Sequence, residues 1–202
     1  MTSALTLSSG KIYLSSPGGG GYTLGRKCPK ARAWCGVRVP FLPVQSNERN
    51  DLVRIAVVHG PNLNLLGTRE PEVYGTATLA DVDRALEELA REVGAEVEFF
   101  QSNCEGRILD YLAEIRERVD GVLINPAGLG HTSVALLDGL LATSRPFAEV
   151  HLSNPSSRES FRHRSFLSAA AVGVVAGFGV DSYLSGFRCL NNYLVRRSGA
   201  AQ

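Results

Sequence analysis

Residues 52–60, LVRIAVVHG, form an apolar run that is rich in β-branched side chains and ends at a glycine. Such a run, bounded by turn residues, is typical of a strand buried on both faces. Residues 78–94, TLADVDRALEELAREVG, repeat apolar residues at helical spacing. Thr78 is suited to cap the start of that helix and Gly94 to end it. The ordered part of the chain therefore begins as a strand followed by a helix.

The same alternation continues towards the C terminus. Further strands are predicted at 96–102, 121–125, 147–153 and 171–179. Further helices are predicted across Ile108 and Val119 (capped by Ser102 or Asn103), at 132–144 and from Ser182 to Val195. Repeated alternation predicts a parallel sheet covered on both faces. We expect an α/β fold with a flavodoxin-like, doubly wound five-stranded parallel sheet.

Composition divides the 202-residue chain near residue 50. Residues 1–50 carry seven Lys or Arg and one acidic residue, together with a four-glycine run, whereas residues 51–202 carry nineteen acidic residues and fourteen Arg. The first segment has no sustained hydrophobic period, so a disordered N-terminal extension is predicted, followed by one domain at 51–202. It lacks the apolar core of a secretory signal. A cytoplasmic protein is expected, with organelle import as the alternative because a basic, Ser-rich segment also resembles a transit peptide.

Several classes of protein are disfavoured by the sequence. The four cysteines form no CxxC pair, which argues against a zinc site and a disulfide framework. No apolar run is long enough to span a bilayer, and the basic residues lack the aromatic pattern of a nucleic-acid module. The chain also lacks a P-loop, a complete dinucleotide fingerprint and a GxSxG nucleophile motif. We expect neither nucleic acid nor membrane as a partner.

Polar residues instead follow the predicted strands where they end. GPNLN (60–64) follows the first strand, NPAGLGHTS (125–133) the third, and EVHLSNPSSRESFRHR (149–164) begins in the fourth. In a doubly wound sheet, ligands bind outside the carboxyl ends of the strands. One functional site is therefore predicted at this edge.

Glu149 and His151 are the clearest acid–base candidates. They are two residues apart on a strand, so their side chains share a face, and a carboxylate can orient the imidazole as a general acid. A buried polar pair with only a structural role is the first alternative. A metal site made by His131, Glu149 and His151 is the second, although no spacing among them is diagnostic of metal binding.

The remaining candidates are weaker when each is taken alone. Asn125 is either a turn residue or, with Ser153, a carboxylate ligand. Arg158 and Arg162 share a face if that segment is helical, and they suit an anionic ligand or surface ion pairs. Arg69 beside Tyr74 favours the phenolate form of that tyrosine, which could then act as a base.

Taken together, the motifs resemble type II 3-dehydroquinate dehydratase from about Val53 to Leu190. The resemblance is carried, in order, by GPNLNLLGTREPEVYG (60–75), QSNCEG (101–106), LINPAGLGHTSVAL (123–136), EVHLSN (149–154) and the two arginines in RESFRHRS (158–165). It implies dehydration of 3-dehydroquinate to 3-dehydroshikimate through an enolate, without a Schiff base, a metal or an organic cofactor.

The resemblance also implies roles for individual residues. Tyr74 matches the base, Arg69 the residue that keeps it as phenolate, and Asn62 the residue that stabilises the enolate. His151 matches the general acid, oriented by Glu149. Substrate contacts are implied for the following residues: Asn125, His131, Leu152, Ser153 and Arg162, with Arg158 near a lid. Asp138 matches a residue that reaches a neighbouring subunit's site, which implies a homo-oligomer, usually a dodecamer built as a tetramer of trimers.

The sequence departs from the family pattern at three places. Gly130 stands where many members carry Thr, Leu137 replaces a frequent Arg before Asp138, and the residues at 155–157 are unusual. These departures leave a catalytically silent or repurposed paralogue as the alternative function. The motifs do not distinguish aromatic biosynthesis from quinate catabolism.

Overall fold

The structure, a computed structural model, describes two short strands near the N terminus and most of the chain beyond residue 51. Backbone is described for residues 5–8, 11–14, 52–68 and 77–199, and side chains for the last two ranges. Contacts divide the chain into two units, Met1–Pro40 and Phe41–Gln202. In the first unit, β1 (Leu5–Ser8) pairs antiparallel with β2 (Lys11–Leu14), a hairpin that we had not predicted. The predicted disorder of the other residues up to 50 lies outside the described ranges, and the boundary at residue 50 stays a prediction.

Five parallel strands form the sheet of the second unit. They are β3 (Val53–His59), β4 (Ala95–Gln101), β5 (Gly121–Asn125), β6 (Phe147–His151) and β7 (Gly173–Ala176). Their spatial order is β4-β3-β5-β6-β7, which confirms the predicted flavodoxin-like sheet. Because β4 and β5 lie on opposite sides of β3, the winding reverses between β3 and β5. A crevice opens at the carboxyl ends of these two strands.

Within residues 52–68 and 77–199, four α-helices cover the two faces of this sheet. They are α1 (Leu79–Val93), α2 (Glu105–Ile115), α3 (Val134–Ala142) and α4 (Val180–Gly199). Val57 packs in a core with α1 and α4, whereas the next residue, Val58, packs in a second core with α2 and α3. Neighbouring strand residues point to opposite faces, so one continuous apolar run supplies both cores. Among the described residues, no helix has the length and hydrophobicity required to cross a bilayer.

The predicted ends of α1 are confirmed in detail. The Thr78 side chain accepts a hydrogen bond from the Asp81 backbone N–H, and the Asp81 side chain accepts one from the Thr78 N–H, which is a capping box. Gly94 ends the helix with φ 68°, a left-handed conformation that favours glycine.

Several other boundaries differ from prediction: β4, β6 and α3 are displaced by one or two residues, α2 ends at Ile115 rather than Val119, and the last helix extends to Gly199. The N-cap of α2 is Cys104, because the Ser102 hydroxyl instead accepts from the Cys104 N–H at 3.0 Å and forms a turn before the helix. The last strand is shorter than predicted and ends before Gly177, whose φ is 95°. The last helix begins at Val180 rather than Ser182, since the Ser182 hydroxyl accepts from the Phe178 N–H at 3.0 Å.

Candidate active site

A cavity of about 250 Å³ lies where the segments after β3, β5 and β6 meet. Eight of the predicted site residues line it: Asn62, Asn125, His131, His151, Leu152, Ser153, Arg158 and Arg162. The convergence expected from the strand ends is therefore present. Its small volume suits a metabolite rather than a polymer.

Close approach of two backbone segments shapes the floor of this site. The Gly60 N–H donates to the Asn125 carbonyl at 2.8 Å. A Cβ at Gly60 would lie 2.5 Å from the Pro126 carbonyl oxygen, so glycine is required sterically at this position. The absence of a side chain at Gly60 thus brings the residues after β3 next to those after β5.

His151 and Glu149 form the predicted pair at the end of β6. The His151 Nε2–H donates to Glu149 Oε1 at 2.7 Å, while Ser168 Oγ donates to the other carboxylate oxygen at 2.6 Å. Glu149 is fully buried and His151 is 9% exposed. With Nε2 bonded to Glu149, Nδ1 is the ring nitrogen of His151 that remains to exchange a proton with a ligand.

The environment of Glu149 favours its charged form. Burial, the largest single influence, acts to raise the pKa of this carboxyl, but hydrogen bonds from His151, Ser168 and Ser165 together hold its pKa below the ordinary value. An ionised Glu149 fixes the tautomer of His151 and stabilises the imidazolium form. This geometry orients the imidazole and suits it to exchange a proton.

Glu149→Gln is expected to weaken the pH dependence of stability under acidic conditions. The folded-state pKa of Glu149 is lowered, so its stabilising contribution is complete above the unfolded value of about 4.3 and is lost as the pH falls through the folded value. Glutamine cannot accept from both His151 and Ser168, so the variant should lose about 1–3 kcal/mol of unfolding free energy at neutral pH.

Urea unfolding at a series of pH values from neutral to about 3 measures this effect. The stability gap between Glu149→Gln and the unsubstituted protein should narrow as the pH falls. Glu117→Gln is the matched control, because Glu117 is an exposed partner of Arg116 and its loss should change stability little at any pH. A gap for Glu149→Gln that stays constant would contradict the assigned ionisation.

His131 stands parallel to His151 across the cavity. The two ring centroids are 6.3 Å apart, with 13° between the planes. His131 Nδ1 lies 2.8 Å from the Arg164 carbonyl oxygen, which can only accept, so Nδ1 carries a hydrogen. This contact with the segment after β6 leaves Nε2 of His131 for a ligand.

The backbone of Asn62 is held in an unusual conformation. Its φ is 67°, and its N–H donates to Asn103 Oδ1 at 2.8 Å. Gln101 Nε2 donates both to Asn103 Oδ1 at 3.0 Å and to the Gly60 carbonyl at 3.3 Å. Gln101 and Asn103 therefore support Asn62, a role that sequence reasoning missed. They belong to the QSNCEG motif and lie at the end of the strand next to β3, which is the signal that could have revealed it.

Arg158 and Arg162 both line the cavity, although the segment at 157–164 is not the helix that would have placed them on one helical face. The segment forms two short 3₁₀ turns, Pro155–Ser157 and Ser160–Arg162, with extended backbone at Arg158 between them. The Asn154 side chain starts the first turn by accepting from the Ser156 N–H at 3.0 Å. Both arginines approach the same Glu159 oxygen, at 2.8 Å from Arg162 Nε and 3.7 Å from Arg158 Nε.

Of the other predicted site residues that the structure describes, Glu149 and Asp138 are not among those that line this cavity. Asp138 is exposed on α3. Arg69 and Tyr74 fall in residues 69–76, which lie outside the described residues, so their roles stay predictions.

The metal alternative gains no support from the geometry. Within the described ranges 52–68 and 77–199, no group of three or more His, Cys, Asp or Glu side chains is arranged to hold a metal ion.

Gly130 fits tightly beneath the cavity. It is buried, and a Cβ there would lie 2.9 Å from Pro126 Cγ and 3.5 Å from Ser165 Oγ. A larger residue at this position therefore requires a small shift of the Pro126 ring. Gly130 itself is not among the residues that line the cavity.

These features define a doubly wound α/β protein with a hydrogen-bonded imidazole–carboxylate pair at the carboxyl-terminal edge of its sheet. A family model described as dehydroquinase class II matches residues 53–191. The chain belongs to the class II dehydroquinase family.

The known relatives match this chain along nearly their whole length. A 3-dehydroquinate dehydratase of Geotalea daltonii is 50% identical over 142 residues, which cover 70% of this chain and 99% of the relative. A catabolic 3-dehydroquinase 1 of Fusarium vanettenii is 52% identical over 129 residues, covering 64% and 90%. The crystal structure of a type II dehydroquinase from Butyrivibrio crossotus matches with a TM-score of 0.68 and 37% identity, covering 70% of this chain and 99% of that one.

Proposed function

We propose that this protein is a hydro-lyase that removes water from 3-dehydroquinate to give 3-dehydroshikimate. The observation that carries the proposal is the hydrogen-bonded His151–Glu149 pair. His151 lines a metabolite-sized cavity, and the chain belongs to the class II dehydroquinase family. Elimination of water needs one group to take a proton and another to protonate the leaving hydroxyl. An imidazole oriented by a buried carboxylate is suited to the second task.

Two protein groups, Tyr74 and His151, account for both proton transfers of the dehydration. Tyr74, as phenolate, takes the proton next to the ketone, and the electron pair moves to the carbonyl oxygen to form an enolate. Asn62 stabilises that charge, and Arg69 stabilises the phenolate. The enolate collapses, the carbon–oxygen bond to the leaving hydroxyl breaks, and His151 donates the proton that completes a water molecule. The roles of Tyr74 and Arg69 rest on the family resemblance.

The cavity residues divide between the two ends of the substrate. Asn125, Leu152 and Ser153 follow the ends of β5 and β6, and we assign them to the substrate carboxylate. His131 and Arg162 are assigned to the ring hydroxyls, and Arg158, as the family resemblance implies, to the neighbourhood of a lid.

Mixing the purified protein with 3-dehydroquinate tests the proposed function. The product is a conjugated enone, so ultraviolet absorbance should rise with time. Activity should persist in excess chelator, whereas its loss would favour the metal alternative. Borohydride added with substrate should not inactivate the protein, because the chain contains no Lys after residue 30 to form a Schiff base. An absence of enone formation would overturn the proposal in favour of a silent paralogue.

We also infer a homo-oligomer, and a dodecamer in particular, in which Asp138 contributes to a neighbouring subunit's site. Asp138 is flanked on the exposed face of α3 by Val134 and Leu141, which are 54% and 40% exposed. The edge strand β7 adds a second exposed apolar region around Val174 and Phe178. Exposed apolar faces of this kind are typical of interaction surfaces.

Light scattering should therefore give a mass of about 260 kDa for twelve 21.7-kDa chains. Asp138→Ala and His151→Gln proteins should each be weakly active. After unfolding and joint refolding, mixed oligomers should regain activity, because some sites then combine an intact His151 with an intact Asp138 from a neighbour. A monomer, or a mixture with no regain, would contradict the shared site.

We infer a cytoplasmic location, with organelle import as the alternative. The basis is the composition of residues 1–50, which lack an apolar secretory core but are basic and Ser-rich. N-terminal sequencing of the protein isolated from its cell distinguishes an intact extension from a cleaved transit peptide.

A further inference from the structure

The QSNCEG motif (101–106) has no role in the proposed mechanism, yet two of its side chains reach the segment that carries Asn62. Gln101 is the last residue of β4, and Asn103 follows it. Gln101 is the register partner of His59, the last residue of β3, so the two strands end side by side. We call Gln101 and Asn103 the amide pair. Its members lie where the chain leaves β3 and turns towards the cavity.

The amide pair is hydrogen-bonded to this turn at two points. The Asn62 N–H donates to Asn103 Oδ1 at 2.8 Å. Gln101 Nε2 donates to the same oxygen at 3.0 Å and to the Gly60 carbonyl at 3.3 Å. On the opposite side, the Gly60 N–H donates to the Asn125 carbonyl at 2.8 Å. The turn is therefore held from both of the strands that flank β3.

These contacts define the orientation of both amides. A backbone N–H can only donate and a backbone carbonyl can only accept. Asn103 must therefore turn its oxygen to Asn62, and Gln101 must turn its nitrogen to Gly60. The same two orientations allow Gln101 to donate to Asn103. Asn103 thus acts through an acceptor, whereas Gln101 acts through a donor.

The conformation of Asn62 gives this arrangement a purpose. Its φ is 67° and its ψ is 0°, a left-handed conformation that is unfavourable for most residues with a side chain, although Asn tolerates it better than most. Asn62 precedes the short 3₁₀ helix Leu63–Leu65, but its side chain makes no capping hydrogen bond to that helix. The side chain lines the cavity instead. The turn is thus stabilised through the Asn62 backbone, which leaves the side-chain amide for a ligand.

We propose that Gln101 and Asn103 are positioning residues that hold Asn62 in its left-handed conformation, so that the Asn62 side chain is presented to the enolate. Relaxation of the Asn62 backbone would change the direction in which its side chain leaves the main chain. Neither member of the amide pair needs to contact the substrate. This inference rests on the proposed function, which assigns Asn62 to the developing charge.

Asn103→Leu tests the proposal, because leucine is similar in shape but cannot accept the Asn62 N–H. Dehydration should lose about 3- to 10-fold in kcat, the value of one lost neutral hydrogen bond. KM should change little, since the enolate charge develops only after the substrate has bound. Exchange of the proton next to the ketone with deuterated water should fall by the same factor, because it passes through the same enolate. A raised KM with unaltered kcat would overturn the proposal.

Asn192→Leu is the matched control for this substitution. Asn192 is exposed on α4 and is not among the residues that line the cavity. Its kcat and KM should equal those of the unsubstituted protein. An equal loss of kcat in both leucine variants would overturn the proposal.

Two carboxylate substitutions test the assigned orientation of the amides. Asn103→Asp keeps an oxygen for the Asn62 N–H and for Gln101, so kcat should stay near that of the unsubstituted protein. Gln101→Glu replaces the donor by an oxygen that faces the Gly60 carbonyl and Asn103 Oδ1, so kcat should fall at least as far as in Asn103→Leu. Both variants add one negative charge at the same end of β4. Equal losses would reveal a general effect of charge and would overturn the proposal.

A double substitution determines whether Asn103 acts through Asn62. If it does, Asn62→Ala and Asn62→Ala/Asn103→Leu should share the same lowered kcat, because the second change has no side chain left to position. Multiplying effects would overturn the proposal.

Crystal structures of the variants without substrate keep this inference distinct from the proposed function. Asn62 should leave its left-handed conformation in Asn103→Leu and keep it in Asn103→Asp. An unchanged Asn62 in Asn103→Leu would overturn the proposal. Failure of the unsubstituted protein to dehydrate 3-dehydroquinate would instead count against the proposed function, and the crystal structures would still decide whether the amide pair positions Asn62.

Discussion

His151→Gln is expected to lower kcat for dehydration by about 10²- to 10⁴-fold, the usual contribution of a general acid. Glutamine retains a polar group at the end of β6 but has no proton to give to the leaving hydroxyl. Substrate binding should change less, because the arginines and Asn125 remain around the cavity. Steady-state kinetics from enone absorbance measure the loss.

Isotope exchange identifies which step His151 serves. In deuterated water, the His151→Gln protein should still exchange the proton next to the ketone, because enolate formation precedes loss of the hydroxyl in the proposed sequence. Proton NMR of recovered 3-dehydroquinate detects this exchange. If exchange and dehydration were lost equally, His151 would belong to the proton-abstraction step, and an unaltered kcat would remove it from the chemistry altogether.

Tyr74→Phe is expected to abolish both reactions. Phenylalanine keeps the ring but removes the group proposed to take the proton, so exchange and dehydration should each fall by about 10²- to 10⁴-fold. The comparison with His151→Gln is decisive, because only Tyr74→Phe should lose exchange of the proton next to the ketone. Tyr111→Phe, which removes a hydroxyl that donates to Glu98, serves as the control for loss of a tyrosine hydroxyl, and circular dichroism confirms that each variant is folded. Rapid exchange by Tyr74→Phe would require a different base.

Arg69 can be tested through the pH dependence of the same reaction. A neighbouring cation favours the phenolate, so its removal in Arg69→Ala should raise the pKa of the Tyr74 phenol. Activity depends on the phenolate and should therefore appear at higher pH than in the unsubstituted protein. Arg69→Lys retains the charge and should restore part of the shift, whereas identical pH profiles would assign Arg69 another role.

Local sequence patterns predicted most of the framework. The strand at 53–59 and the capped helix at 79–93 are specified by residues close together in the sequence. The structure contains both of them, as predicted. The site was also predictable in outline, because parallel strands place their carboxyl ends at one edge. Local reasoning left the conformation of 157–164 open, because the spacing of Arg158 and Arg162 would place them on one face only in a helix. There, the Asn154 side chain and Pro155 favour a short turn instead.

The sequence by itself determined the class of fold, the family and the residue types available for acid–base chemistry. The tertiary structure decided which hydrogen-bond partners fix these side chains in position. Ser168 reaches Glu149 across 19 positions, Asn103 reaches Asn62 across 41, and Tyr183 reaches His59 across 124. Such contacts leave no local periodicity, because they depend on the packing of elements that are distant in the chain. The sheet order brings them together, and because Glu149 and His59 are then buried, their hydrogen-bond partners become energetically necessary.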